Sequence, residues 1–124
     1  MPWDIQLDPG QTMMIIQYKG QVSPDELDAC LMAAKAMAVR TGVMKIMADC
    51  LGLTGGHGIM DLFELIGRFD SMGIPRTIKE AILLPNIPSM QKDVSFYETA
   101  CLNRGYNVRV FHDRADAVRW LSDA

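Results

Sequence analysis

The side chains best suited to chemistry gather in one stretch of this 124-residue chain, "DCLGLTGGHGIMDLFELI", residues 49 to 66. Cys50, His57 and Asp61 are the residue types of a nucleophile, a base and the group that orients the base. His57 and Asp61, four positions apart, share a face if a helix begins there. The metal-binding reading is weaker, because His57, His112, Asp49 and Asp61 lack the short ligand spacing of a zinc site. A glycine-rich loop before a helix can also cradle a phosphate on free backbone N–H groups. Yet "GLTGGHG" has neither the Lys-Ser/Thr of a P-loop nor a GxGxxG spacing. A tight turn shaped by backbone needs explains the glycines more simply, and Cys50 at a strand end reads as a small buried hydrophobe. No catalytic residue, metal ligand or cofactor is assigned, and a non-enzymatic protein is expected.

Bulk properties narrow the class. The chain is 49% hydrophobic and 22% charged, as in ordinary globular proteins, and its length fits one domain, residues 1–124. The net charge of −3 lacks the basic excess of a nucleic-acid binder. Charge is also evenly spread: residues 1–62 hold 4 Lys/Arg against 7 Asp/Glu, and residues 63–124 hold 8 against 8. Cys30, Cys50 and Cys101 are an odd number without a CxxC pair, which reads as reduced thiols. The opening "MPWDIQLDPG" has no basic and apolar segments of a secretory leader, and no apolar run is long enough to span a bilayer. A cytoplasmic protein is expected.

The elements that must position the loop are written in the hydrophobic pattern. "WDIQL" alternates as an edge strand, "DPGQ" turns the chain, and "TMMIIQY" returns as a strand buried on both faces, making an antiparallel hairpin. In "SPDELDACLMAAKAMAVRTG", Ser23 and Glu26 form a capping box, Pro24 suits the first helical position and Gly42 ends the helix. Its inward face is Leu27, Cys30, Leu31, Ala34, Met37 and Ala38. "VMKIMAD" reads as a third strand ending at Asp49. Ile59, Leu62, Phe63, Ile66 and Phe69 mark a second helix, and "TIKEAILLP" a fourth strand. A loop over "PNIPSMQKD" precedes a helix at "VSFYETACLNR" closed by Gly105. "YNVRVF" is a fifth strand, and a last helix follows Asp113 with Trp120 in the core. Helices alternating with strands predict an α/β fold: one mixed five-stranded sheet, antiparallel at its N-terminal hairpin and parallel elsewhere, packed with about four helices.

The closing segment "YETACLNRGYNVRVFHDRADAVRWL" (97–121) resembles that of SpoIIAA-like and STAS-type proteins. There a helix ending in Asn-Arg-Gly feeds a Val-Arg-Val-Phe strand, and a short helix finishes with Trp-Leu. The element order, with its N-terminal hairpin and capped helix at "SPDEL", is similar to that fold over nearly the whole chain. The resemblance to STAS domains of anti-sigma-factor antagonists implies a protein-binding switch, with a phosphorylatable Ser in an Asp-Ser-Ser-Gly loop after the third strand. The SpoIIAA-like branch is also similar in shape to CRAL-TRIO lipid carriers, which implies an apolar ligand or a membrane surface.

Asp49 matches the Asp of that switch loop, but no serine lies between Val43 and Asp70. The switch or interaction loop here is then Asp49, Thr54, Gly55, Gly56 and His57, with Thr54 its sole hydroxyl. Ten methionines are a high share for this length. Most read as core, but Met60, Met72 and Met90 flank the second helix and the proline loop. With Phe63, Phe69 and Ile87 they are the candidate lining of an adaptable apolar mouth. The expected function is therefore a non-enzymatic binding module for an apolar small molecule or a membrane surface. The alternative is a regulatory protein-interaction module resembling an anti-sigma-factor antagonist without its serine. Trp3 and the apolar hairpin also leave a homodimer open.

Overall fold

The computed structural model describes residues 2–123. Five strands, β1 (Trp3–Leu7), β2 (Met14–Gln21), β3 (Lys45–Gly55), β4 (Lys79–Leu83) and β5 (Asn107–Phe111), form one sheet in sequential order. β1 and β2 pair antiparallel, and the remaining pairs are parallel. The five helices are α1 (Pro24–Thr41), α2 (Ile59–Gly67), α3 (Phe69–Met72), α4 (Pro88–Asn103) and α5 (Arg114–Ser122). Parallel neighbours in sequential order, joined by crossovers of one hand, put their connecting helices on one face. α1, α2 and α4 accordingly share a face, and α5 covers the other.

That division explains the strand patterns. Trp3, Ile5, Leu7, Met14 and Ile16 pack with Cys30, Ala34 and Ala38 of α1, whereas Asp4, Gln6 and Gln17 face outward on the uncovered side. Met47, Ala81 and Leu83 meet Ala117 and Leu121 of α5 on the opposite face, with Met13 and Ile15 at the margin. The "MMII" run is thus covered on both sides, by different helices. The capping box at Ser23 and Glu26 is present, and Gly42 closes α1 at φ 77°. Such an N-cap contributes about 1 kcal/mol.

Two sequence-based boundaries and one burial reading need correction. β3 does not stop at Asp49 but runs on to Gly55, because β2 runs on beside it: Lys19 pairs with Gly52 and Gln21 with Gly55, across two register shifts. β4 ends opposite Asp49, so residues 50–55 belong to a two-stranded extension beyond the rest of the sheet. α4 begins six residues early, since Pro88 occupies its first turn and only Pro85 breaks the chain. The loop at 85–93 is therefore mostly helix. Trp120 is half-buried rather than core, set against Phe111 at 5.6 Å with the Lys79 ammonium 4.4 Å over its ring.

Asp49 is 5% exposed and points to the α5 side of the sheet. Its carboxylate takes a charged hydrogen bond from Arg114, at the start of α5, and another from the Leu51 amide at 3.1 Å. Arg114 is half-exposed, so the pair is partly screened. Arg114→Ala would leave the buried carboxylate with one partner fewer and should cost about 1–2 kcal/mol. Urea unfolding reads this; an unchanged midpoint would mean that the Leu51 amide alone satisfies Asp49.

Candidate functional site

The segment between β3 and α2 is wound around one residue of another element. The Val22 amide donates to the Gly55 carbonyl at 2.9 Å. The Val22 carbonyl in turn accepts from His57 Nδ1 at 2.7 Å. A carbonyl can only accept, so Nδ1 carries the proton and Nε2 is the ring's remaining site. Gly56 passes so close that a Cβ there would lie 2.5 Å from the Val22 nitrogen, and its φ of 99° already disfavours a side chain. The glycines therefore answer to a backbone crossing. The Asp61 carboxylate closes the turn by accepting from the Gly58 amide at 2.8 Å, capping α2.

This geometry separates the candidate residues. Asp49 and Thr54 lie within β3 rather than in a loop, and Asp49 belongs to the ion pair with α5. Thr54 is an exposed strand residue. Gly55 is the last residue of β3, and Gly56 and His57 begin the turn. The Cys50–His57–Asp61 reading fails on chemistry. Burial, with Glu80 and Asp49 nearby, pushes the Cys50 thiol far above its ordinary value, Asp61 is engaged in the cap and His57 in the Val22 contact. A thiol so disposed is not a nucleophile near neutral pH. His112 Nδ1 is set against the Leu84 carbonyl at 3.2 Å. No group of three or more His, Cys, Asp or Glu side chains among the described residues is placed to hold a metal ion.

The six residues of the expected apolar mouth do not form one. Phe69 is buried in the core, stacked edge-on against Tyr106 at 5.1 Å. Met72 and Met90 are half-buried and pack on the main core. Met60, Phe63 and Ile87 are exposed, Met60 at 64% and Phe63 at 45%. The reason lies in α2. "IMDLFELI" carries two overlapping stripes, and the core takes Leu62, Leu65, Ile66 and then Phe69. Ile59, Met60 and Phe63 are left on the flank, one helical turn apart on a shared surface. There Phe63 meets Phe96 of α4, ring centroids 6.2 Å apart, and the Arg104 guanidinium lies 5.8 Å over the Phe63 ring. Ile59 and Phe96 are each 37% exposed, so the patch is contiguous across α2 and α4.

A cavity does exist, deeper in. It measures about 80 Å³ and lies between α1, α2, α4 and the sheet, with Leu27, Leu31, Leu53, Leu62, Leu65 and Val94 among its walls and His57 at its rim. A second space of about 30 Å³ lies beside it. Glu80 of β4 lines both. Its sheet neighbours are Ile46 and Val108, so a carboxyl stands in an apolar layer. Desolvation pushes that carboxyl up to about 7, opposed in part by the Tyr97 hydroxyl. Glu80 escaped notice in the sequence, although its position gave a signal. A parallel strand covered on both faces leaves no wet side for Glu80, whose neighbour Lys79 opens the strand.

No family model matches the chain, and no curated protein does. Solved structures do. SpoIIAA, an anti-sigma factor antagonist solved in its unphosphorylated form, superposes with a TM-score of 0.58 at 12% identity, over 98% of this chain and 99% of that one. The chain has a SpoIIAA-like fold. An anti-sigma factor antagonist from Mycobacterium paratuberculosis gives a TM-score of 0.61 at 11% identity, covering 98% and 95%. An uncharacterised DUF3478-family protein with a SpoIIAA-like fold from Shewanella loihica gives 0.56 at 16%, covering 96% and 91%. The resemblance expected from residues 97–121 holds at the level of the SpoIIAA-like fold, and none of the three neighbours is described as an enzyme. No helix among the described residues is long and apolar enough to cross a membrane.

Proposed function

We propose that this protein is a non-enzymatic regulatory module that binds another protein through the α2–α4 face. The observation that carries the reading is the apolar patch of Ile59, Met60, Phe63 and Phe96, left uncovered beside the turn at Gly56–Gly58. Side chains of this size cost free energy in water and mark contact surfaces when they adjoin one another. Two of the SpoIIAA-like neighbours are anti-sigma factor antagonists, a role exerted on another protein. A phosphoserine switch is not part of the proposal, because no serine lies between Val43 and Asp70 and the Val22 crossing requires a glycine at position 56. A membrane surface fits less well than a protein. Asp61 and Glu64 sit on the same helix as the patch and oppose the negative potential of an anionic bilayer.

The test is affinity capture from the source lysate with four baits: the natural chain, Met60→Asp, Phe63→Asp, and Val39→Asp on the exposed face of α1. Val39 is equally apolar and more exposed, so it controls for loss of surface hydrophobicity alone. Proteins retained by the natural chain and by Val39→Asp should fall at least tenfold with Phe63→Asp, a loss typical of an aromatic anchor. Equal retention by all four baits would refute the assignment.

A further inference from the structure

We propose that the cavity beneath α2 binds a small primary amine, or the ammonium end of a longer one, with the Glu80 carboxylate as counter-ion and the surrounding leucines enclosing its hydrocarbon. The inference is independent of the protein-binding role proposed for the outer face of α2.

Three observations lead to it. The first is the mismatch at Glu80. Its side chain stands among Ile46, Val108 and the leucines of the cavity wall, and it forms no ion pair with a Lys, Arg or His among the described residues. Glu80 is half-buried and open only to the spaces it lines, and a carboxylate among apolar walls is ordinarily paired or neutralised, because an isolated charge there is costly. Lys35 borders the smaller space but donates its ammonium to the Met72 carbonyl at 2.8 Å. His57 lines the larger space but spends its Nδ1 on the Val22 carbonyl, and the other ionisable groups about Glu80, Tyr18, Tyr97, Cys30, Cys50 and Cys101, supply no positive charge. A counter-charge for the ionised carboxylate is thus left for a ligand to supply.

The second observation is size. A cavity of about 80 Å³ is roughly half of one that admits benzene, at about 150 Å³, yet larger than a single water requires. It suits a compact head and a few carbons. An ammonium is such a head, with three donors on one atom, whereas a guanidinium is a broad plane. The third is the complement of acceptors. The Tyr97 hydroxyl bonds the Glu80 carboxyl, and Tyr18, which lines the same space, spends its own proton on the Cys30 sulfur at 3.5 Å, leaving its oxygen free to accept. Burial raises the Glu80 carboxyl to about 7, so near neutrality it gives up a proton readily when a cation arrives. Binding of the ammonium to the protonated form would release that one proton to solvent.

The experiment titrates the full chain at pH 8 with n-butylamine, n-butanol and butyrate, following backbone amide shifts by NMR. Butylamine should saturate and move the amides of Leu62, Leu65, Ala81 and Ile82, with butanol at least tenfold weaker and butyrate inert. Glu80→Gln should lose the amine preference and keep the butanol affinity. Equal affinity for amine and alcohol, shifts confined to surface carboxylates, or no saturable shift at the cavity would each overturn the proposal, leaving the space to water. Should Glu80→Gln fail to fold, the amine-to-alcohol ratio on the natural chain still decides.

Discussion

Glu80→Gln should make the protein more stable above pH 7 and leave it no more stable near pH 4.5. The sign follows from the direction in which burial moves this carboxyl, from 4.5 to about 7. Below pH 4.5 it is protonated in both the folded and the unfolded chain, and burial costs little. Between 4.5 and 7 the unfolded chain ionises while the folded one keeps its proton, so stability falls as pH rises. Above 7 the folded state carries the cost of a charge in a half-buried, largely apolar site, at most about 3 kcal/mol for a displacement of this size. A glutamine cannot ionise, so the variant should gain about 2–3 kcal/mol over the natural chain at pH 8.5, less whatever its amide leaves unpaired. Urea unfolding of both proteins from pH 4.5 to 8.5 isolates the effect, since every other titrating group cancels in the difference. A gap independent of pH would mean that Glu80 ionises as freely folded as unfolded.

The second large effect belongs to Gly56. A Cβ there would lie 2.5 Å from the Val22 nitrogen and 2.6 Å from its oxygen, backbone atoms that cannot swing aside, at a φ of 99°. Gly56→Ala should cost roughly 2–4 kcal/mol, combining strain with loss of the Gly55–Val22–His57 hydrogen bonds. The neighbouring glycines provide the scale. Gly55 has a φ of 133° but open space, so Gly55→Ala should cost about 1–2 kcal/mol from conformation alone. Gly58 is extended at φ −120°, and its alanine variant should be within about 0.5 kcal/mol of the natural chain. Thermal unfolding of the three variants should rank them 56, 55, 58 in decreasing damage. A Gly56→Ala protein as stable as Gly58→Ala would free the turn for some role other than threading past Val22.

Much of the fold was legible because its signals are local. The capping box at Ser23, the C-terminal Gly42 and Gly105, and the alternation of "WDIQL" each report on their own few residues. The boundaries that moved were settled elsewhere in the chain. β3 extends to Gly55 because β2 extends beside it, and no property of "CLGLTG" announces that partner. α4 starts at Pro88 because a proline is as welcome in a first turn as it is disruptive in an interior.

The site was less legible than the fold for the same reason. The choice between the Leu62–Leu65–Ile66 and Ile59–Phe63 stripes of α2 was made by α4 and the sheet, so Phe63 became surface and Phe69 core. His57 and Asp61 carry chemical side chains, but the backbone of Val22 and the end of α2 use them. Glu80 was visible as a charge leading into the apolar run of β4, and it became meaningful only once Ile46 and Val108 stood on either side of it.

The most direct test of the proposed role is hydrogen–deuterium exchange on the natural chain, free and bound to a partner retained by Val39→Asp but lost with Phe63→Asp. Slowed exchange should centre on residues 56–66 and 92–103, with α1 residues 32–40 and the edge strand β1 unchanged. Protection centred on β1 or the outer face of α1, with the α2–α4 face exchanging as freely as before, would contradict the assignment of that face.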